Sequence, residues 1–209
     1  MGLATYDELK ASIEDYLIRD DLVAQIPDFI TLAEARHKRE IRTVDMIQRS
    51  QAHLHKGKRF IQLPEGFLHM RTLRINADPV QTLQSISPSQ MSVLLSNKRE
   101  GTFRDPEYYC VHEELEFNSE PPEDLTLEMI FYGWYPSLSS ITKTNKLLQK
   151  SPDAYLYAAL LASAPWLEDD QRIQVWTQLY ETAVNGIKYT DQRRRHGDPI
   201  VARVYGGTP

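Results

Sequence analysis

The chain is poor in cysteine and lacks long apolar runs. Cys110 is the single cysteine in 209 residues, which excludes an intramolecular disulfide and any metal site built from several thiolates. A lone thiol also fits a reducing compartment. No apolar run reaches the roughly 18 residues of a membrane span, and the N-terminus lacks the basic and apolar regions of a secretory signal. The sequence therefore predicts an intracellular protein with no membrane partner.

Signatures of catalysis are missing as well. The sequence has no phosphate-binding loop, no G-x-S-x-G nucleophile elbow and no dinucleotide fingerprint. His53 and His55 have strand-like spacing for two metal ligands, but no further ligand follows at a recognisable interval. No basic residue adjoins Cys110 in the sequence, so it is interpreted as an inert, half-buried thiol within a strand. We therefore expect no catalytic residue, no cofactor and no metal, and the chain is predicted not to be an enzyme.

The composition also lacks a concentrated positive charge. The formal net charge is -5, so the chain is expected to bind nucleic-acid phosphate poorly. Hydrophobic residues make up 41% and charged residues 25%, which is typical of a globular protein. His37 and the bases that follow it are interpreted first as the solvated face of a helix. Two groups of bases nevertheless keep a nucleic-acid-associated protein as the alternative function: Lys38, Arg39 and Arg42, and the triplet Arg193, Arg194 and Arg195.

Helical patterns occupy both ends of the chain. Thr5 to Glu8 has the form T-x-x-E, a capping box that predicts a helix over residues 6–18. A second helix is predicted from Pro27, because its fixed φ and missing amide suit the first helical position. Ser151-Pro152-Asp153 predicts the start of a buried helix that continues through residues 155–162.

The last helix is predicted to open at Asp169-Asp170 and to end at the arginine triplet, whose cations suit the helix dipole. Apolar residues at positions 173, 176, 180, 183 and 187 step by three and four, which is the spacing of a packed seam. A helix pair of this kind can pack beside copies of itself and close a ring. The predicted inter-subunit seam comprises Tyr155, Trp176, Tyr180, Ala183 and Ile187.

Strand patterns lie between the helical ends. Six short strands are predicted over residues 58–64, 71–76, 80–86, 107–112, 115–117 and 125–135, with one small helix over 87–95. This spacing is typical of an antiparallel sandwich or small barrel. The predicted fold is α+β: an α-helical bundle body with an inserted antiparallel β sandwich or barrel-like domain and an extended C-terminal arm. The predicted domains are 1–52 and 137–196 for the helical body, 53–136 for the β insert and 197–209 for the arm.

The segment after the last helix is too short to fold alone, yet it is rich in apolar residues. Ile200, Val201, Val204 and Tyr205 give it an extended, β-prone character that suits the addition of a strand to another chain's sheet edge. The alternative is a strand added to the protein's own sheet.

Three stretches of this sequence resemble the head-to-tail adaptor (connector) proteins of tailed bacteriophages, especially those of short-tailed phages. They are residues 4–42, which open ATYDELKASIEDYL, residues 134–176, which open WYPSLSSITKTNKLL, and residues 191–204, DQRRRHGDPIVARV. Together they cover the helical portions, or about half of the chain. The predicted β insert adds no motif to the resemblance.

The resemblance implies a virion protein at the head–tail junction that assembles in the host cytoplasm. Such proteins form a ring, usually of twelve copies, beneath the portal protein, where they extend the DNA channel and carry the tail nozzle or tail fibres. DNA passes through without sequence-specific binding. In these proteins the C-terminal arm runs along the portal. On this chain the implied portal-binding arm comprises Gly197, Pro199, Ile200, Val201, Arg203, Val204 and Tyr205, with Arg193, Arg194 and Arg195 at its root.

Overall fold

The chain divides into two units in a computed structural model that describes residues 2–97, 103–167 and 171–196. A helical unit combines the residues up to Asp45 with those from Tyr135 onward, and a β unit spans Met46–Trp134. The α+β fold class and the barrel-like insert are thereby confirmed. The predicted arm, residues 197–209, lies outside the described residues.

The elements follow in chain order, with helices at both ends and strands between them. They are α1 (Tyr6–Leu17), α2 (Ile26–Glu40), β1 (Ile47–Leu54), β2 (Phe60–Gln62), β3 (Phe67–Ile75), β4 (Gln81–Ser85), α3 (Pro88–Ser96), β5 (Tyr108–Val111), β6 (Glu114–Phe117), β7 (Leu125–Gly133), α4 (Lys146–Lys150), α5 (Pro152–Ala162) and α6 (Arg172–His196). Short 3-10 turns occupy Asp20–Gln25, Val44–Met46 and Ala164–Trp166.

Helix α1 begins where the capping box places it. The Glu8 amide donates to Thr5 Oγ1 at 3.3 Å, and the Thr5 amide donates to Glu8 Oε2 at 3.1 Å. These two bonds satisfy amides that no helical carbonyl can reach. Leu9, Ile13 and Leu17 then fall on one buried face, so the predicted first helix is confirmed.

Helix α5 forms the centre of the helical unit and contacts α1, α2 and α6. It is apolar on all sides, and its buried residues are Ala154, Tyr155, Leu156, Ala158, Ala159 and Leu160. Burial of each large apolar side chain contributes about 1.5–3 kcal/mol. The small alanines among them permit close approach of the neighbouring helices.

The sheet of the β unit has seven strands in the order β1-β7-β3-β4-β5-β6-β2. The end strands of this order, β1 and β2, also contact each other, which makes the sheet nearly closed. One neighbouring pair is parallel, β4 with β5, through Gln84↔Tyr108 and Ser85↔Tyr109. Parallel neighbours need a crossover connection, and α3 lies in that connection.

Strand β1 was not predicted from the sequence. Gln48, Arg49, Ser50 and Gln51 interrupt the apolar alternation by which a strand is recognised. The strand nevertheless pairs along its whole length with β7, from Ile47↔Tyr132 to Leu54↔Leu125. The β unit consequently starts at Met46, earlier than the expected domain limit at residue 53.

Candidate functional site

Asp45 joins the end of α6 to the end of α4. Its Oδ2 atom accepts from Lys150 Nζ at 2.5 Å and from Arg194 Nη1 at 2.7 Å. Burial alone would raise the pKa of the Asp45 carboxyl, but the hydrogen bonds and charges of Lys150 and Arg194 outweigh it and hold this pKa below its usual value. Asp45 is therefore ionised at neutral pH and binds both cations.

Asp191 makes a second attachment at the same helix end. This side chain is buried, and its Oδ1 accepts the Val44 amide at 2.5 Å while its Oδ2 accepts from Arg195 Nε at 2.5 Å. Arg195 also donates through Nη2 to the Arg42 carbonyl at 2.9 Å. The last turn of α6 is thus bonded to the segment that follows α2.

The three arginines of the predicted arm root share this last turn but have different contacts. Arg194 and Arg195 form the ion pairs with Asp45 and Asp191. Arg193 is exposed, and its guanidinium carbon lies 6.0 Å from the centre of the Tyr189 ring. The other predicted arm residues, Gly197, Pro199, Ile200, Val201, Arg203, Val204 and Tyr205, lie outside the described residues.

Four of the five predicted seam residues are buried in the core of the helical unit. Tyr155, Trp176 and Tyr180 are 0%, 4% and 1% exposed, and Ala183 is also buried, whereas Ile187 is half-buried. Trp176, Tyr180, Ala183 and Ile187 share one face of α6, and the bulky aromatic side chains of that face and Tyr155 of α5 fill the subunit's own core. These four side chains leave little surface for contact with a second copy.

A second stripe on α6 faces outward. Val175, Leu179 and Tyr189 are 54%, 39% and 63% exposed, and Thr182 and Gly186, which lie between them, are exposed as well. These five positions also step by four and three along the helix, as a packing seam requires. The sequence also contains this spacing, but the stripe at positions 173, 176, 180, 183 and 187 is more apolar and is therefore the predicted seam.

Gly186 lies on this outward stripe without an evident role in the subunit's own packing. Apart from its own helix backbone, a Cβ added there would meet no described atom within 4 Å. Glycine in a helix interior costs about 1 kcal/mol relative to alanine.

A groove of about 540 Å³ adjoins Gly186. It is lined on α6 by Thr182, Gly186 and Arg194 and on the opposite side by Lys146 and Lys150.

The interior of the helical unit contains hydrogen-bonded polar side chains. Tyr155 Oη donates to Glu34 Oε1 at 3.3 Å and accepts from Asn145 Nδ2 at 2.8 Å. The same Glu34 oxygen accepts the Leu138 amide at 2.8 Å. Tyr180 Oη donates to Glu40 Oε2 at 2.7 Å. Hydrogen bonding compensates the cost of burying these groups, so the core of the helical unit has a fixed internal geometry.

The interpretation of His37 as part of a solvated face is wrong. The residue is 0% exposed, and its ring lies edge-on to Tyr155 at 4.9 Å and stacked on Tyr180 at 6.0 Å between centroids. Burial lowers the pKa of His37 to about 4, so the ring is neutral at pH 7. Helical spacing places His37 on the face of Ala33 and Ile30, which are also buried.

The residues considered for chemistry lie in the β unit. Burial and the neighbouring Glu116 raise the pKa of the Cys110 thiol to about 11, so this group is not an activated nucleophile. His55 Nδ1 lies 3.3 Å from Asp124 Oδ2, and His53 Nδ1 lies 3.5 Å from Thr126 Oγ1. The two histidines therefore contact different residues.

The described residues form an α+β chain whose last helix has one buried face, three exposed apolar side chains on the opposite face and an ion-paired end. No helix within the described ranges is long and apolar enough to cross a membrane. Residues 4–203 match the family model described as SU10 adaptor protein, and the chain belongs to that family. It is a phage adaptor of the short-tailed, SU10-like type, which confirms the resemblance seen in the sequence. No match was found among curated proteins.

The family gives the chain a broad role. A phage adaptor is a structural component of the virion at the head–tail junction and interacts with other virion proteins.

Proposed function

We propose that this chain binds the portal protein as a ring of twelve copies, with no catalytic role. The ring extends the DNA channel, through which DNA passes without sequence-specific binding, and it provides the attachment platform for tail nozzle or tail-fibre proteins. Subunits assemble in the host cytoplasm before they join the virion. Membership of the SU10 adaptor family supports this proposal.

The outward stripe of α6 is the observation that carries the proposal. Val175 and Leu179 lie one helical turn apart with much of their apolar surface in contact with water. Adjacent apolar side chains that remain exposed are candidates for a contact with another protein surface. If this stripe packs against a different surface of the next copy, the contact is heterologous and can close a ring. The inter-subunit seam is therefore reassigned to Val175, Leu179, Thr182, Gly186 and Tyr189.

The ion-paired end of α6 supports the role of the arm. Asp45 and Asp191 bind Arg194 and Arg195, so the predicted arm starts from a helix end that is attached to the subunit. Ordering a free segment costs about 1–2 kcal/mol per residue in backbone entropy, which makes a single arm a weak ligand. A ring presents many arms together, and their effective concentration converts weak contacts into firm attachment to the portal.

The ring contact is tested with purified portal protein and a Val175→Asp/Leu179→Asp double variant. We expect this variant to saturate the portal at no less than tenfold higher concentration than the wild type and to leave incomplete rings in electron micrographs. Leu32→Asp is the matched control, because Leu32 is 51% exposed on α2 and lies outside the stripe. Wild-type binding by the double variant would exclude the stripe as the ring contact.

The arm is tested separately by deletion of residues 197–209. We expect the deleted chain to keep its unfolding midpoint and to lose binding to the portal. Retained binding would contradict the arm proposal while leaving the ring contact intact. Circular dichroism of each variant verifies that the helices are preserved.

A further inference from the structure

Three potential metal ligands meet on the hairpin formed by β5 and β6. Cys110 and Glu116 are directly opposite each other in the register of the two strands. His112 lies in the bend directly after β5, two residues beyond Cys110. Among the described residues, one group of three potential ligands of these types was found, namely Cys110, His112 and Glu116. Their ligand atoms all lie within 4.8 Å of one another.

The distances between the ligand atoms match one face of a zinc tetrahedron. Cys110 Sγ lies 3.2 Å from His112 Nε2 and 3.5 Å from Glu116 Oε2, and the nitrogen and the oxygen are 3.5 Å apart. Zinc bonds of about 2.3 Å to sulfur and about 2.0 Å to nitrogen or oxygen, at tetrahedral angles, place sulfur about 3.5 Å from each lighter atom. The same geometry separates the nitrogen and the oxygen by about 3.3 Å. The three observed distances lie within about 0.3 Å of these tetrahedral values.

The ligand group is buried on one side and open to solvent on the other. Cys110 is fully buried, whereas the side chain of Glu116 is 16% exposed and that of His112 is 43% exposed. Solvent therefore reaches the site from the side of the histidine. Arg59 Nη2 lies 3.5 Å from Glu116 Oε1, which orients the carboxylate by its other oxygen and leaves Oε2 for the metal. Outer contacts of this kind position metal ligands in proteins.

We propose that Cys110, His112 and Glu116 bind one zinc ion, with water as the fourth ligand. Thiolate and imidazole ligands favour zinc over magnesium and calcium, which prefer oxygen. On binding, the thiol releases its proton to solvent and the sulfur forms a bond to the metal. The bound ion cross-links β5 to β6 and stabilises the hairpin. The earlier expectation of no metal considered His53 and His55 and sites with several thiolates, and it did not consider strand register.

The site is tested by titration of the metal-free full-length chain with Co²⁺, which adopts the tetrahedral geometry of zinc. We expect a thiolate-to-cobalt charge-transfer band in the near ultraviolet that saturates at one equivalent, and we expect one equivalent of Zn²⁺ to displace it. His112→Ala and Glu116→Gln should each weaken binding at least tenfold. His112→Ala is the decisive variant, because this exposed side chain is not required for the core. Cys110→Ser should remove the band.

His55→Ala is the matched control, since it removes another exposed histidine that already faces a carboxylate, Asp124. It should leave the cobalt titration unchanged. The proposal is overturned if no charge-transfer band forms at saturating Co²⁺, or if the band persists at wild-type affinity in His112→Ala. Such a result would leave the sulfur contacts as ordinary hydrogen bonds of a thiol. Portal binding does not enter this test, so the zinc site and the adaptor role succeed or fail independently.

Discussion

The cores of the two units are built on different principles. The hydrophobic cluster of the β unit consists of apolar and aromatic side chains such as Leu73, Phe117 and Phe131. The helical unit instead buries His37 and the hydrogen-bonded pair Glu34 and Tyr155. Apolar packing tolerates exchange of side chains of similar volume, whereas buried polar groups demand particular partners. Among the described residues, the helical unit buries a histidine and a glutamate, whereas the β unit buries the uncharged Asn118 and Ser119.

The largest expected effect tests the apolar core. Phe131→Ala removes a fully buried ring that packs on Phe67 with centroids 5.6 Å apart. We expect a loss of about 3–5 kcal/mol in the free energy of unfolding, measured by urea denaturation. Phe131→Leu should recover most of the loss, because it restores apolar volume. Equal destabilisation by both substitutions would show that the ring itself is required and would remove the contrast between the two cores.

A smaller effect is expected from pH, and it belongs to the helical unit. The pKa of His37 is about 4 in the folded chain and about 6.5 when unfolded. Between these values the unfolded state binds more protons, so stability falls as the pH drops from about 6.5 to 4, by on the order of 3 kcal/mol. His37→Phe keeps an aromatic ring but cannot titrate. Urea denaturation across this window should give a flatter pH profile for His37→Phe, and parallel profiles would contradict the assignment.

The smallest of the three effects concerns a single hydroxyl. Tyr155→Phe removes the group that donates to Glu34 and accepts from Asn145. We expect a loss of about 1–2 kcal/mol, since two buried polar groups each lose a partner. Tyr132→Phe in the β unit is the control and should change the free energy of unfolding by less than about 0.5 kcal/mol. Comparable losses in the two variants would mean that the hydrogen bonds of the buried Tyr155 hydroxyl contribute no more than a half-buried tyrosine hydroxyl does.

Much of the fold could be predicted, because local chemistry determines it. The capping box at Thr5 and the proline at the first turn after Ser151 mark helix starts locally, and α1 and α5 occupy those places. Within the described ranges, the expected capping bond from the Ser151 side chain is absent. Strand β1 depends on β7 as its partner, and its own residues are polar. A strand that forms because its neighbour pairs with it need not show an alternation of apolar residues in its own sequence.

The candidate site was harder to predict than the fold, for two physical reasons. Helix α6 carries two stripes with the same spacing, and periodicity alone does not decide which one the subunit buries. Trp176 and Tyr180 belong to the buried stripe, while Val175 and Leu179 belong to the exposed one. The ligand group of Cys110 and Glu116 depends on strand register, which becomes known only when the sheet is assembled.

The pairing of β1 with β7 has a further consequence for how this chain is put together. Ile47 and Tyr132 are direct partners in the register, and partners in an antiparallel pair have Cα atoms about 4.5–5.5 Å apart. The chain therefore leaves the helical unit and returns to it through neighbouring strand ends. The entropy cost of bringing the ends of a loop together rises by only about 0.6 kcal/mol for each doubling of the loop's length. The length of the inserted β unit therefore adds little to the entropy cost of closing this loop.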